Sequence, residues 1–242
     1  MRRSLRDMSA EVLARIEVLC DLYGLTGCEG ERLGRIVAML ATDPRAPTSV
    51  RDAGLAVDVH VADSLEALNV EIVRKSTTIA DIGAGAGLPG LPLAVALPHS
   101  EMKLIDSQTR KCAFVERVRE TAQIENARVV CTRVEEWAEG IGGQDVVLAR
   151  AVAAQPVVLE YAAPLLRLGG ALVDWRGRRN PEEERSAAAA AELLGLRLES
   201  IERVEPYEGV RDHHLHVYLK VEETPERFPR RTGVAAKKPL AA

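Results

Sequence analysis

From residue 77 to about residue 195 the chain alternates short runs of β-branched and aliphatic residues with longer helix-patterned segments, and this constrains the fold more than any other feature. The strand-like runs are 77–82, 102–106, 128–131, 145–149 and 170–175, with helical segments near 90–97, 109–125, 155–167 and 181–195. Parallel neighbours need crossover connections, so this alternation predicts an α/β fold with a mostly parallel sheet and helices on both faces. Two more strand-like runs, 197–205 and 214–221, are separated only by the loop 206–213. That loop is too short for a crossover helix, so the two runs should pair antiparallel and close a sheet of about seven strands.

Before residue 77 the pattern is different. Residues 9–22, 29–41 and 52–73 place apolar side chains three and four apart (Leu13, Ile16, Leu19, Leu22, then Leu33, Ile36, Val37, Leu40), as amphipathic helices do. Asp43-Pro44 and Ala46-Pro47-Thr48-Ser49 interrupt them, and Ser49 or Asp52 can cap the third helix. The organisation read from these shifts is a helical cap over 1–75, a sheet domain over 76–222 and a tail over 223–242. Over residues 224–242, Arg227, Arg230, Arg231, Lys237 and Lys238 stand against the single acid Glu226, while the whole chain has a net charge of −4. An acidic body with a basic end excludes a protein that coats nucleic acid by bulk charge. The tail reads either as a solvated end or as a phosphate-binding arm.

The apolar region 151–173 is broken by Gln155, Pro156, Glu160, Pro164 and Arg167, short of the roughly 20 apolar residues of a membrane helix. Met-Arg-Arg at the start is followed by Asp7, Glu11, Arg15 and Glu17 rather than an apolar signal core, so a cytoplasmic protein is expected. Cys20, Cys28, Cys112 and Cys131 form no C-x-x-C pair and fit reduced thiols. No metal is expected. His213, His214 and His216 lie on one strand, where neighbours face opposite sides and no carboxylate partner is evident, so they read as surface or RNA-facing.

The segment Ile79-Ala80-Asp81-Ile82-Gly83-Ala84-Gly85-Ala86-Gly87-Leu88-Pro89-Gly90 runs from a buried strand through a glycine loop into a helix. Such a loop lets the backbone approach a ligand and aims amide groups at it. Gly85, Gly87 and Gly90 satisfy G-x-G-x-x-G, and Asp106 follows at dinucleotide-enzyme spacing. Asp81 and Gly83 extend the pattern to D-x-G-x-G-x-G, which resembles motif I of S-adenosylmethionine enzymes. An acid at that position suits the ammonium of a sulfonium nucleoside and would repel a pyrophosphate. Asp106, ending the next strand before Ser107, is placed to accept from ribose hydroxyls. Together with the strand pattern, the loop predicts a Rossmann-like S-adenosylmethionine methyltransferase sheet beneath the helical cap.

The wider sequence resembles the small-subunit ribosomal RNA guanine-N7 methyltransferase family (RsmG, or GidB). The resemblance is carried by Thr48-Ser49-Val50-Arg51-Asp52, His60 with Asp63-Ser64-Leu65, Gly83 through Pro92, Asp106-Ser107 before Arg110-Lys111, Arg133-Val134-Glu135-Glu136, Ala149-Arg150-Ala151, and Pro229-Arg230-Arg231 with Lys237-Lys238-Pro239-Leu240. It implies that Gly83 and Leu88 contact S-adenosylmethionine, that Val134 and Glu135 flank its adenine, and that Arg150 closes the pocket. It also implies methylation of guanine N7 in the helix-18 loop of 16S ribosomal RNA, free or in an assembling small subunit, with S-adenosylhomocysteine as product. Departures are Trp175-Arg176-Gly177, where the family commonly has Leu-Lys-Gly, and His213-His214, where it often has Arg-His. Arg176, Arg178, Arg179, Arg230, Arg231, Lys237 and Lys238 are the expected RNA contacts, and the protein is expected as a monomer.

The turn after the fourth strand lacks an Asn/Asp-Pro-Pro-aromatic box, and no Pro-Cys nucleophile is present. Guanine N7 has an in-plane lone pair and no proton to lose, so no general base is required; of the site residues only Arg150 is a candidate catalytic group. The alternatives are a catalytically silent RNA-binding or assembly module and, disfavoured by Asp81, a dinucleotide-dependent oxidoreductase.

Overall fold

The computed structural model describes residues 8–240. The Met-Arg-Arg start and residues 241–242 of the tail lie outside the described residues. Helix α1 (Ala10–Tyr23) begins at Ser9, whose hydroxyl accepts from the Val12 amide, and stops at Gly24 in the left-handed region. Helix α2 (Gly27–Thr42) begins at Thr26, whose amide donates to Glu29 Oε2 at 2.5 Å.

The expected single helix over 52–73 is broken. Asp52 caps α3 (Ala53–Ala56), a π-helical turn spans Val57–Ala62, α4 (Asp63–Leu65) and a 3-10 turn (Glu66–Asn69) follow, and α5 (Glu71–Lys75) comes after an extended Val70. The π turn inserts extra backbone just before Asp63, a site of specific contacts described below.

The strands are β1 (Thr78–Ile82), β2 (Glu101–Asp106), β3 (Ala127–Cys131), β4 (Gln144–Arg150), β5 (Leu166–Arg176), β6 (Leu196–Val204) and β7 (His213–Lys220). They form one sheet in the order β3-β2-β1-β4-β5-β7-β6, with β1 to β5 parallel and β7 antiparallel to both neighbours. Helices α6 (Gly90–Ala96), α7 (Thr109–Ala122), α8 (Gln155–Ala162) and α9 (Pro181–Leu193) make the crossovers, and a short α10 (Val234–Lys237) lies in the tail. The α/β class, the parallel body and the antiparallel last pair are as the alternation predicts.

Two boundaries differ by more than three residues. The helix expected to reach residue 167 ends at Ala162, because Pro164 has no amide to continue it. β5 then starts at Leu166, ahead of the expected 170. Gly169, with φ 77°, accommodates a bulge between the pairings Gln144↔Leu166 and Val146↔Ala171.

Each sheet face buries its own apolar layer. One packs α1, α2, the 53–69 segment, α6 and α7 against β1, β2, β4, β5 and β7, so the N-terminal helices share a core with the sheet. The other packs α8, α9 and Phe228 of the tail against the opposite face.

Candidate functional site: a cleft at the carboxyl edge of the sheet

In parallel α/β sheets, ligand sites form where strands end and helices begin, and this chain has its cleft there. About 260 Å³ of space opens above β1 to β4. The glycine loop makes its floor. Gly83 (φ 68°) and Gly85 (φ 59°) adopt the left-handed conformation that other residues rarely take. A Cβ on Gly83 would come within 3.0 Å of Val152 Cγ2. The loop therefore already lies against the turn after β4, and a side chain there would fill the gap.

Asp81 lies beneath the loop, 1% exposed, and its Oδ2 accepts from the Gly90 amide at 2.9 Å. Its Oδ1 is buried with no hydrogen-bond partner. Burial pushes this carboxyl up to about 7 against the opposing pull of the Gly90 amide and Arg150. An unpaired buried carboxylate oxygen is costly, and such a group beside a cleft points to a ligand that brings a donor or positive charge.

Asp106 stands at the end of β2. Its Oδ2 accepts from the Gly85 amide at 3.1 Å and its Oδ1 from the Gln108 amide at 2.9 Å, with Lys111 Nζ at 3.5 Å. It thus braces the glycine loop, starts the turn into α7, and keeps lone pairs facing the cleft, whose lining includes Asp106 and Ser107. After β3, Val134 and Glu135 form the next wall, faced by Tyr161 from α8. Burial first, then the Glu135 and Glu160 carboxylates, raise the Tyr161 phenol.

Gly83, Asp106, Ser107, Val134 and Glu135 thus line one cleft. Asp81, Gly85 and Leu88 are not among its lining residues: Asp81 and Leu88 are buried and Gly85 is half-buried. Arg150 takes another course: its Nη1 reaches Asp63 Oδ2 at 2.7 Å, a buried carboxylate that also faces His213 Nδ1 at 3.2 Å. A buried charge demands a partner, and Asp63 meets that demand. The cleft wall beside Arg150 is instead made by Ala151 and Val152.

The basic residues expected to contact RNA divide in the same way. Arg176 donates to the Ala153 carbonyl at 3.0 Å and pairs with Glu183, holding the turn after β4. Arg179 forms two bonds to Glu184, and Arg230 forks onto the buried Glu160. Arg178, Arg231, Lys237 and Lys238 are exposed. The histidines also differ from the surface reading: His216 is 2% exposed and contacts Gln155, while His213 has a carboxylate partner in Asp63.

Sequence reasoning missed Lys111 and Tyr161 as cleft residues and Asp63 as the partner of Arg150. Asp63 and Arg150 are far apart in the chain, and only the packing of the 53–69 segment on the sheet brings them together.

The sheet order, the glycine loop and the strand-end cleft define a Rossmann-like methyltransferase fold. Solved structures agree: a SAM-dependent methyltransferase from Aquifex aeolicus superposes with a TM-score of 0.54 at 16% identity, covering 77% of this chain and 97% of that one. Fibrillarin from Aeropyrum pernix, with natively bound S-adenosyl-L-methionine, gives 0.52 at 16% identity, covering 65% and 73%. Within that class, the family model for rRNA small subunit methyltransferase G matches residues 42–213, and the chain belongs to this family. The Ribosomal RNA small subunit methyltransferase G of Rubrobacter xylanophilus is 40% identical over 75% of this chain and 72% of the relative. That of Carboxydothermus hydrogenoformans is 38% identical over 76% and 80%.

Proposed function

We propose that this protein transfers the methyl group of S-adenosylmethionine to N7 of a guanine in the helix-18 loop of 16S ribosomal RNA. The observation that carries the cofactor reading is the buried, unpartnered Oδ1 of Asp81 beneath a glycine floor, beside a cleft whose walls offer the carboxylates Asp106 and Glu135. These residues fit the cofactor. Asp81 answers its ammonium end, Asp106 accepts from ribose hydroxyls, and Val134 with Glu135 takes the adenine edge. The bound cofactor supplies an electrophilic methyl group on a sulfonium.

The chain's own contribution is position. Gly83 keeps the floor open, and the Ala151-Val152 wall is apolar, so it neither competes for the guanine lone pair nor removes a proton. N7 has no proton to lose, and in-line orientation supplies up to about 7–11 kcal/mol of barrier lowering. Arg176 holds the turn carrying that wall through the Ala153 carbonyl. Of the basic side chains expected to contact RNA, the exposed Arg231, Lys237 and Lys238 are left to meet separated phosphates, together with Arg178, whose Nε lies 3.4 Å from Asp212 Oδ2 at the surface.

The rRNA substrate rests on family membership, and a substrate competition tests it. With methyl-labelled cofactor, label should enter 16S and not 23S ribosomal RNA. Equal labelling of both, or none, would defeat the proposal.

A further inference from the structure

The tail is bonded to the turn that forms one wall of the cleft. Phe228 and Ala235 are buried, and Leu240 packs against the layer beneath α8. Arg230 grips Glu160 of α8: its Nε meets Oε1 at 2.8 Å, its Nη2 meets Oε2 at 2.5 Å, and its backbone amide adds a bond at 3.2 Å. The same guanidinium holds the Lys238 carbonyl at 2.8 Å, folding the tail back on itself. From this anchor the chain reaches the turn after β3, where the Gly233 amide donates to Glu135 Oε1 at 2.9 Å and the Thr232 hydroxyl to Glu136 Oε1 at 2.7 Å.

We infer that the tail is a strap that positions Glu135 for cofactor binding, tying α8, which carries Tyr161, to the turn that carries Val134 and Glu135. Glu135 sits on a three-residue 3-10 turn, Val134–Glu136, with no buried residue in it, so its side chain is fixed by the tail on one side and by the facing Tyr161 phenol on the other. A carboxylate held through one oxygen presents the other in a set direction, and pre-orienting a polar group reduces the ordering cost when a ligand binds. Gly233 has φ 76°, a conformation glycine takes freely, and this presents its amide at the start of α10. Arg230, Thr232 and Gly233 are thus positioning residues acting through Glu135 and Glu136. The inference rests on the reading that the cleft takes S-adenosylmethionine.

The test is a calorimetric cycle with S-adenosylhomocysteine as the probe. A chain ending after Arg231 keeps the Arg230–Glu160 pair and lacks Thr232, the Gly233 amide and α10. It should bind about five- to tenfold more weakly, the ordering cost of one freed side chain. In a Glu135→Ala background the same truncation should change affinity less than twofold, because the group it acts through is gone. Unchanged affinity on truncation overturns the strap. So does an equal loss with and without Glu135, since the tail would then act elsewhere. A full-length chain that binds no probe defeats the cofactor reading itself and the strap with it, an outcome distinct from the other two. Should the shorter chain not fold, Arg230→Lys, which keeps Glu160 paired but loses the fork, replaces it. Its affinity should fall severalfold, and full affinity would overturn the proposal.

Discussion

In the proposed site, Asp81 sets stability against binding. Its carboxyl is pushed up to about 7 by burial, above its ordinary value near 4, so the folded state holds the proton more tightly than the unfolded chain. The stability this provides is complete below the unfolded value and is lost as pH rises toward 7. Asp81→Asn should therefore melt at a higher temperature than the parent at pH 8 without ligand, while the gain disappears near pH 4. In the parent, affinity for S-adenosylmethionine should rise between pH 5.5 and 7.5 as the carboxylate forms. Asp81→Asn should bind at least about tenfold more weakly at pH 7.5, the worth of a charged hydrogen bond, with that pH dependence gone. Calorimetry across that range checks both, and a sloping profile in the variant would assign the titration to another group. The place of Asp81 beneath the glycine loop was legible because strand, acid and glycines are contiguous in the chain. Those of Arg150 and Arg230 were not, because Asp63 and Glu160 are distant in sequence and nothing local announces them.

At the level of elements, the contact between Asp63 and Arg150 latches the 53–69 segment to the end of β4, reinforced by Trp175 Nε1 donating to the Asp63 carbonyl at 3.0 Å. Arg150→Ala leaves the buried Asp63 carboxylate with only His213 beside it and should cost up to about 3–5 kcal/mol in denaturant unfolding, with Asp63→Asn restoring part of the loss. Additive destabilisation in the double variant would mean that the two side chains are not coupled.

A second buried group joins α8, β5 and β7: Gln155 Nε2 lies 2.9 Å from His216 Nδ1 and 3.3 Å from Asp174 Oδ2. Burial raises Asp174 to about 7 and lowers His216 to about 4. The two oppose each other: stability from Asp174 falls as pH rises from about 4 to 7, and stability from His216 falls as pH drops from about 6.5 to 4. Asp174→Asn should raise the Tm at pH 8, by roughly 2–4 °C for each kcal/mol recovered, and unmask a steeper loss on acidification. A melting profile parallel to that of the parent would show that Asp174 does not titrate in this way. The strands of this layer were readable from composition and alternation. The polar group inside it was not, because three histidines on one strand carry no mark of which one the sheet buries.

For the molecule as a whole, charge and shape divide the work. The acidic body gives no general attraction to RNA, and Arg176, Arg179 and Arg230 are engaged by carboxylates of their own chain. RNA affinity should then depend on a few exposed cations. Replacing Arg231, Lys237 and Lys238 by alanine should shallow the slope of log K against log salt by roughly 0.7–0.9 for each phosphate no longer neutralised. An unchanged slope would place the RNA elsewhere. Few aromatic side chains are available for stacking, so a folded RNA that brings several phosphates into register should be a better substrate than a short loop. The most direct test of the central claim is to methylate folded 16S ribosomal RNA and assembling small subunits with the purified protein, then map N7-methylguanosine by borohydride reduction and aniline cleavage. One new cleavage at a guanine of the helix-18 loop is the predicted result, and label at another atom, another guanine or no guanine would contradict it.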